Sequence, residues 1–135
     1  MDYKEKYIEY EFLMQQLQQL QQNISALDKH IVDLNSLDQG LEQLTKIKTN
    51  QETLIPFGSG IFLKGEIKDN STVIMNVGNN ICVEKTLDEA RETVAKQLEE
   101  VTLVLEQLRE EMERNSVQLN SLQQEFESLR KEELE

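Results

Sequence analysis

Residues 54–78 read LIPFGSGIFLKGEIKDNSTVIMNVG, and the apolar positions in this stretch recur every second residue. That period marks β-strands. Ile61, Leu63 and Ile67 share one face, with Phe62, Lys64, Glu66 and Lys68 on the other. Asp69-Asn70-Ser71 is a turn by composition. Val73, Met75 and Val77 form the apolar face of the next strand, Gly78-Asn79-Asn80 a second turn, and Ile81-Cys82-Val83 a further strand. Leu54-Ile55, before Pro56, forms a short first strand. The stretch therefore predicts four strands in two hairpins. Pro56 and four of the five glycines fall between residues 51 and 86, so chain breakers isolate this segment from two long flanks.

The flanks carry a different period. Tyr10, Leu13, Leu17, Leu20, Ile24, Leu27, Ile31 and Leu34 follow a strict 3,4 spacing. Leu37, Leu41 and Leu44 continue it after a 3,3 step, and Tyr7 extends it backwards through another; such steps are stammers in a heptad. Between them lies glutamine, as in Gln15-Gln16-Leu17-Gln18-Gln19-Leu20-Gln21-Gln22. The second flank runs Val94, Leu98, Val101, Leu105, Leu108, Met112, Asn115, Leu119, Leu122, Phe126, Leu129 at 4,3 spacing. Asn115 is its one polar member, the kind of residue that fixes register in a coiled coil. Thr86 with Glu89 three residues on reads as a capping box opening this helix. The spacing predicts helices over 3–50 and 87–134, with hairpins over 51–86, in one domain spanning 1–135.

The two stripes are complementary in reverse. Folding the chain back at the hairpins faces Tyr10 with Phe126, Ile24 with Met112, and Leu41 with Val94, and the paired residue numbers total 135 or 136 along the whole length. An antiparallel intramolecular coiled coil requires that constancy; a parallel dimer does not. Each helix of about 45 residues would be roughly 65–70 Å long. Two hairpins cannot bury both faces of their strands on a two-helix pair, and open strand edges pair readily. The expected outcome is an obligate oligomer joined through its strands, with Ile55, Ile61, Leu63, Ile67, Val73, Met75, Val77, Ile81 and Val83 as assembly residues.

Composition narrows the function. The net charge is −12, from 14 basic and 26 acidic residues. Nucleic acid and anionic membrane need basic excess, so neither is an expected partner. No apolar run exceeds three residues, which excludes a membrane-spanning helix. The start, Met1-Asp2-Tyr3-Lys4-Glu5, lacks the apolar core of a secretion signal. A single cysteine, Cys82, fits a reducing compartment, and a cytoplasmic location is expected.

Catalytic chemistry is sparse. His30 stands alone beside Ile31 and reads as a solvated helix position. Cys82, in a strand, reads as a small buried apolar residue. Glu99-Glu100, Glu110-Glu111 and Glu132-Glu133 read as solvated helix faces rather than metal sites. Gly58-Ser59-Gly60 lacks the lysine of a phosphate loop and reads as a turn or bulge. No enzyme activity, cofactor or metal is expected.

The free end of the helix pair is where both termini meet. Five of the seven aromatics lie there: Tyr3, Tyr7, Tyr10, Phe12 and Phe126. Met14 and Ile8 join them. Tyr7, Tyr10 and Phe126 fall on core layers and read as packing. Ile8 and Phe12, four residues apart, lie on a helix flank outside the seam. Exposed apolar side chains there read as a binding surface over simple end-packing.

Helix, two hairpins, helix resembles the alpha class of the prefoldin (GimC) family in its archaeal form. The blocks that carry the resemblance are Leu54-Ile55-Pro56-Phe57-Gly58-Ser59-Gly60-Ile61-Phe62-Leu63-Lys64, Val73-Ile74-Met75-Asn76-Val77-Gly78, and Val83-Glu84-Lys85-Thr86-Leu87-Asp88-Glu89-Ala90. Asn79-Asn80 departs from the small residues common in relatives, which should alter the turn alone. The resemblance implies an α+β fold: a long antiparallel coiled-coil hairpin whose strands join an oligomeric β-barrel body. It implies a hexamer of two alpha with four prefoldin beta subunits. It further implies ATP-independent capture of non-native polypeptides at the coiled-coil tips and their delivery to the group II chaperonin. Tyr3, Tyr7, Ile8, Phe12, Met14, Phe126 and Leu129 would then touch clients. The alternative is a homo-oligomeric or filamentous prefoldin-like scaffold.

Overall fold

A computed structural model describes residues 3–134; the outermost residues of the expected 1–135 domain lie outside it. The fold is α+β. Helix α1 (Tyr3–Leu44) leads into strands β1 (Glu52–Gly58) and β2 (Ile61–Glu66), then β3 (Thr72–Asn76) and β4 (Cys82–Thr86), and ends in helix α2 (Leu87–Leu134). The described residues divide into two units, a terminal one from the residues up to 31 and from 100 onwards, and a hairpin one from residues 32–99. Each helix contributes to both.

In the terminal unit the heptad leucines form the core. Leu13, Leu20, Leu105 and Leu122 are buried, and Leu17, Ile24, Leu27, Leu108, Met112 and Leu119 are half-buried between them. Fully burying one such side chain is worth about 1.5–3 kcal/mol, enough to hold together helices whose outer faces are polar. Asn115 is half-buried, and its Nδ2 donates to Gln16 Oε1 at 3.3 Å. Arg109 pairs with Asp28 at 3.2 Å on the flank.

The stammers expected around Tyr7 and Leu37 are absent. Counting back four from Tyr10 lands on Lys6, which is half-buried and pairs with Glu125 at 2.9 Å. Counting on four from Leu34 lands on Asp38, which is half-buried and pairs with Arg91 at 3.1 Å. From Lys6 to Leu41 the heptad therefore runs unbroken, with charged residues at two of its slots. Leu37 is displaced from the seam and is 48% exposed, while Leu34 and Leu41, on register, are buried.

In the hairpin unit Leu34, Leu41, Leu87, Ala90 and Val94 form the core. Helix α1 stops at Leu44, six residues short of the expected 50. Asn70 ends it: its Nδ2 donates to the carbonyls of Leu44 at 3.2 Å and Ile47 at 3.0 Å, satisfying acceptors a helix end leaves open. Residues 45–47 turn tightly through bonds to carbonyls three residues back, and Asn50, at φ 62°, reverses the chain so that its N–H donates to Ile67.

The strands form two separate antiparallel pairs, β1 with β2 and β3 with β4. The first strand is longer than expected. It starts at Glu52 and passes through Pro56, which lies opposite Phe62, with Ile55 opposite Leu63. Proline is tolerated because this pair has an open edge. Ser59 and Gly60, at φ 50° and 82°, close the hairpin as a two-residue turn of the mirror-image type that suits strand twist. The register shifts between Pro56 and Gly58, so Phe57 sits in a bulge. Asn79 and Asn80, at φ 52° and 60°, close the second hairpin in the same way. Asparagine tolerates such φ values, so the two residues fit this turn. The last strand begins at Cys82 and runs to Thr86 rather than ending at Val83. Thr86 is both its final residue and the cap of α2, its Oγ1 accepting from the Glu89 N–H at 3.2 Å.

Candidate functional site

Two apolar surfaces stand out, one in each unit. In the terminal unit the rings of Tyr3, Tyr7 and Tyr10 meet Phe126 edge-on, with centroids 5.4, 6.5 and 5.7 Å away and planes inclined at 75°, 71° and 84°. Such geometry sets the positive ring edge against a negative face. Tyr10 is half-buried, and its hydroxyl accepts from Gln123 Nε2 at 3.2 Å. Phe126 and Leu129 are half-buried. Phe126 thus organises the cluster, and the tyrosines wrap it. Tyr7, taken from its layer by Lys6, stays largely exposed, as does Tyr3. A side-chain hydrogen bond to Glu11, then the charge of that carboxylate, holds the Tyr7 phenol protonated above its usual pKa.

Ile8 and Phe12 stand apart from this packing, 63% and 58% exposed one turn apart on α1, with Met14 exposed close by. The structure brings Tyr3, Tyr7 and Phe126 into one cluster and leaves Ile8, Phe12 and Met14 open beside it. Lys6 and Glu125 flank the cluster as an ion pair. The arrangement offers adaptable apolar area with no directional demand on a ligand.

In the hairpin unit β1 and β2 expose apolar side chains at consecutive positions, which therefore point to both faces: Leu54, Ile55, Phe57, Ile61, Phe62 and Leu63 are all exposed. Within β3 and β4, Val73, Met75 and Val83 are half-buried, whereas Ile74, on the opposite face, is 77% exposed. Ile67, Val77 and Ile81 lie just beyond the strand ends. Val77 N–H donates to the Ile81 carbonyl at 2.9 Å, so these two close the second turn. Ile67 is half-buried; Val77 and Ile81 are exposed. Leu54, Phe57, Phe62 and Ile74 are exposed strand residues outside the expected assembly set, although alternation already put Ile74 on the face opposite Val73 and Met75. Asp69 holds the two hairpins' connection. Its Oδ1 accepts from Ser71 Oγ at 2.6 Å and Ser71 N–H at 2.8 Å, which together keep its carboxyl below the ordinary carboxylate range.

Cys82 is exposed in this chain, not buried, because it opens β4 opposite Asn76 at the turn end of the hairpin. His30 is exposed on α1. Among the described residues no group of three or more His, Cys, Asp or Glu is placed to hold a metal ion, and no helix is long and apolar enough to cross a membrane.

Comparison with known proteins matches residues 13–132 to the family model described as prefoldin subunit. The chain is 34% identical over 110 residues to prefoldin subunit alpha of Methanobrevibacter smithii, covering 82% of this chain and 75% of that protein. It is 39% identical over 93 residues to prefoldin subunit alpha of Pyrococcus horikoshii, covering 68% of this chain and 63% of that protein. Among solved structures it is similar to filamentous PFD from Methanocaldococcus jannaschii, with a TM-score of 0.74 at 20% identity, covering 83% of this chain and 93% of that one.

Proposed function

The chain belongs to the prefoldin family, and from that premise we propose that it is the alpha-type subunit of a cytoplasmic, ATP-independent holdase. Two copies join four beta subunits, and the complex captures non-native polypeptides and passes them to the group II chaperonin. The observation that carries this reading is the two-faced apolar hairpin β1–β2. Leu54 and Phe62 on one side, with Ile55 and Leu63 on the other, leave exposed what a stable protein buries. Strands of neighbouring subunits are the chemistry that covers both faces and the open edges together.

Capture then falls to the terminal unit. Ile8, Phe12 and Met14, beside Tyr3 and Tyr7 on the Phe126 cluster, supply apolar contact without a shaped pocket. Each contact is weak, but several copies in one assembly act together on one client, so overall binding exceeds that of any single unit. Release then needs no nucleotide, and Gly58-Ser59-Gly60 serves as a hairpin turn. The acidic outer surface resists association between complexes.

The second reading is a homo-oligomeric or filamentous scaffold, the assembly that the structural neighbour's description names for that protein. Native mass spectrometry of the tagged chain drawn from its own cell extract separates the two. Two copies with four of a smaller subunit support the holdase complex; a ladder of this chain alone supports the scaffold.

A further inference from the structure

A second feature of the terminal unit is an absence of charge. From Phe12 to Leu27, α1 carries no Asp, Glu, Lys, Arg or His, in a chain where 30% of residues are charged. On α2, Asn115–Gln124 is likewise uncharged. The fold brings these stretches together: Leu13 and Leu122 are both buried, and Asn115 bonds to Gln16. The result is a neutral collar on both helices. Lys6, Glu9, Glu11 and Glu125 bound it on one side, and Asp28, Arg109, Glu113 and Arg114 on the other. Most of its outer positions are primary amides, with Gln15, Gln18, Gln22, Asn120 and Gln124 all exposed. Val117, also exposed, lies within it.

Packing does not require this neutrality. The seam is satisfied by Leu13, Leu17 and Leu20, and glutamate or lysine would serve the outer helix positions as well as glutamine does. The same chain fills comparable positions with Glu99, Glu100, Glu106 and Glu110. What neutrality changes is the cost of covering the surface. A covered charge must be stripped of water, whereas a primary amide offers two donors and an acceptor to whatever covers it. The collar is also continuous with Phe12 and Met14. An extended polypeptide seated on those side chains would carry its unpaired main-chain N–H and C=O groups across the amides.

We propose that the collar binds the main chain of extended, non-native polypeptide, whatever the charge of its side chains. This rests on the capture function proposed above. Apolar residues at Ile8 and Phe12 select for unfolded chains, and the amide rows on Gln15, Gln18 and Gln22 prolong the contact along the helix pair.

The test uses the full chain assembled with its partner subunits and two permanently unfolded probes, one acidic and one basic. The variants are Gln18→Glu/Gln22→Glu and Gln18→Lys/Gln22→Lys, with Ile8→Ser/Phe12→Ser alongside. Both collar variants should weaken both probes by about fivefold or more, the loss expected when one or two hydrogen bonds give way to covered charge. Thermal melting and native mass should stay unchanged. Opposite effects on the two probes, following charge alone, would overturn the proposal, as would unchanged binding. A collar variant that instead changes native mass would show the face to be a contact between copies, which also overturns it. If the Ile8/Phe12 variant keeps full affinity, the capture reading itself fails; if that variant weakens binding and the collar variants do not, the collar alone fails.

Discussion

Asn115 donates to Gln16 across the seam of the terminal unit at 3.3 Å, a polar contact set among leucine layers. A polar residue at a seam position is satisfied in one alignment and left unpaired in shifted ones, so it selects register at a cost in stability. Asn115→Leu should therefore raise the thermal stability of the isolated chain, by about 1 kcal/mol. It should also permit a second, shifted helix alignment, seen as doubled amide signals in NMR spectra. A less stable variant with one set of signals would show that the pair contributes net stability rather than specificity.

The unbroken heptad makes a sharp contrast between neighbouring leucines. Leu34 is buried on register and Leu37 is exposed off it. Leu34→Ala should cost about 2–4 kcal/mol in urea unfolding, and Leu37→Ala less than about 1 kcal/mol. Equal costs would restore the stammer that leucine spacing suggested.

Asn79 and Asn80 both hold positive φ in the second hairpin turn. Asn80→Gly should stabilise slightly, by about 0.5 kcal/mol, and Asn80→Val should destabilise by about 1–2 kcal/mol. Hydrogen exchange at the Val77 amide, which donates across this turn, reads both effects.

The Asp69 carboxyl lies below its ordinary range because Ser71 donates to it twice, first from the side chain and then from the backbone. A depressed folded-state value means the stabilisation is fully present above the unfolded carboxylate pKa and disappears as pH falls through the lower, folded value. The turn between β2 and β3 should thus loosen as pH falls below the ordinary carboxylate range. Asp69→Asn should remove that step, read as the pH dependence of the Ser71 amide shift.

Much of this architecture is legible from residue spacing, and the misses have physical causes. Leucine periodicity gave both helices and their antiparallel pairing, and period-two alternation with glycine turns gave both hairpins. Apolar periodicity carries no trace of charged seam members, so Lys6 and Asp38 are hidden in it and the nearby Tyr7 and Leu37 stand in their places. The end of α1 was not legible because its cap, Asn70, lies 26 residues away from Leu44. At the candidate surface, Ile8 and Phe12 were legible as off-seam residues. The wrapping of Tyr3 and Tyr7 around Phe126 needed the folded geometry, and so did the placing of the bulge at Phe57.

Assembly through the hairpins has its own probe. Leu63 on β2 lies opposite Ile55 on β1 and is exposed in this chain, so a charge there leaves the chain's own core intact. Leu63→Asp should abolish hetero-assembly, because a covered strand face would gain an unpaired charge, while circular dichroism keeps its helical content. A complex of normal native mass would contradict the assembly face.

Capture of non-native polypeptide through exposed apolar residues of the terminal unit is the step on which the proposed function depends. Light scattering follows it most directly, as a chemically unfolded protein is diluted into the assembled complex, wild-type or carrying Ile8→Ser/Phe12→Ser at matched native mass. Wild-type complex should suppress aggregation, and the double variant should lose most of that protection. Equal protection by the two complexes would contradict capture at this surface.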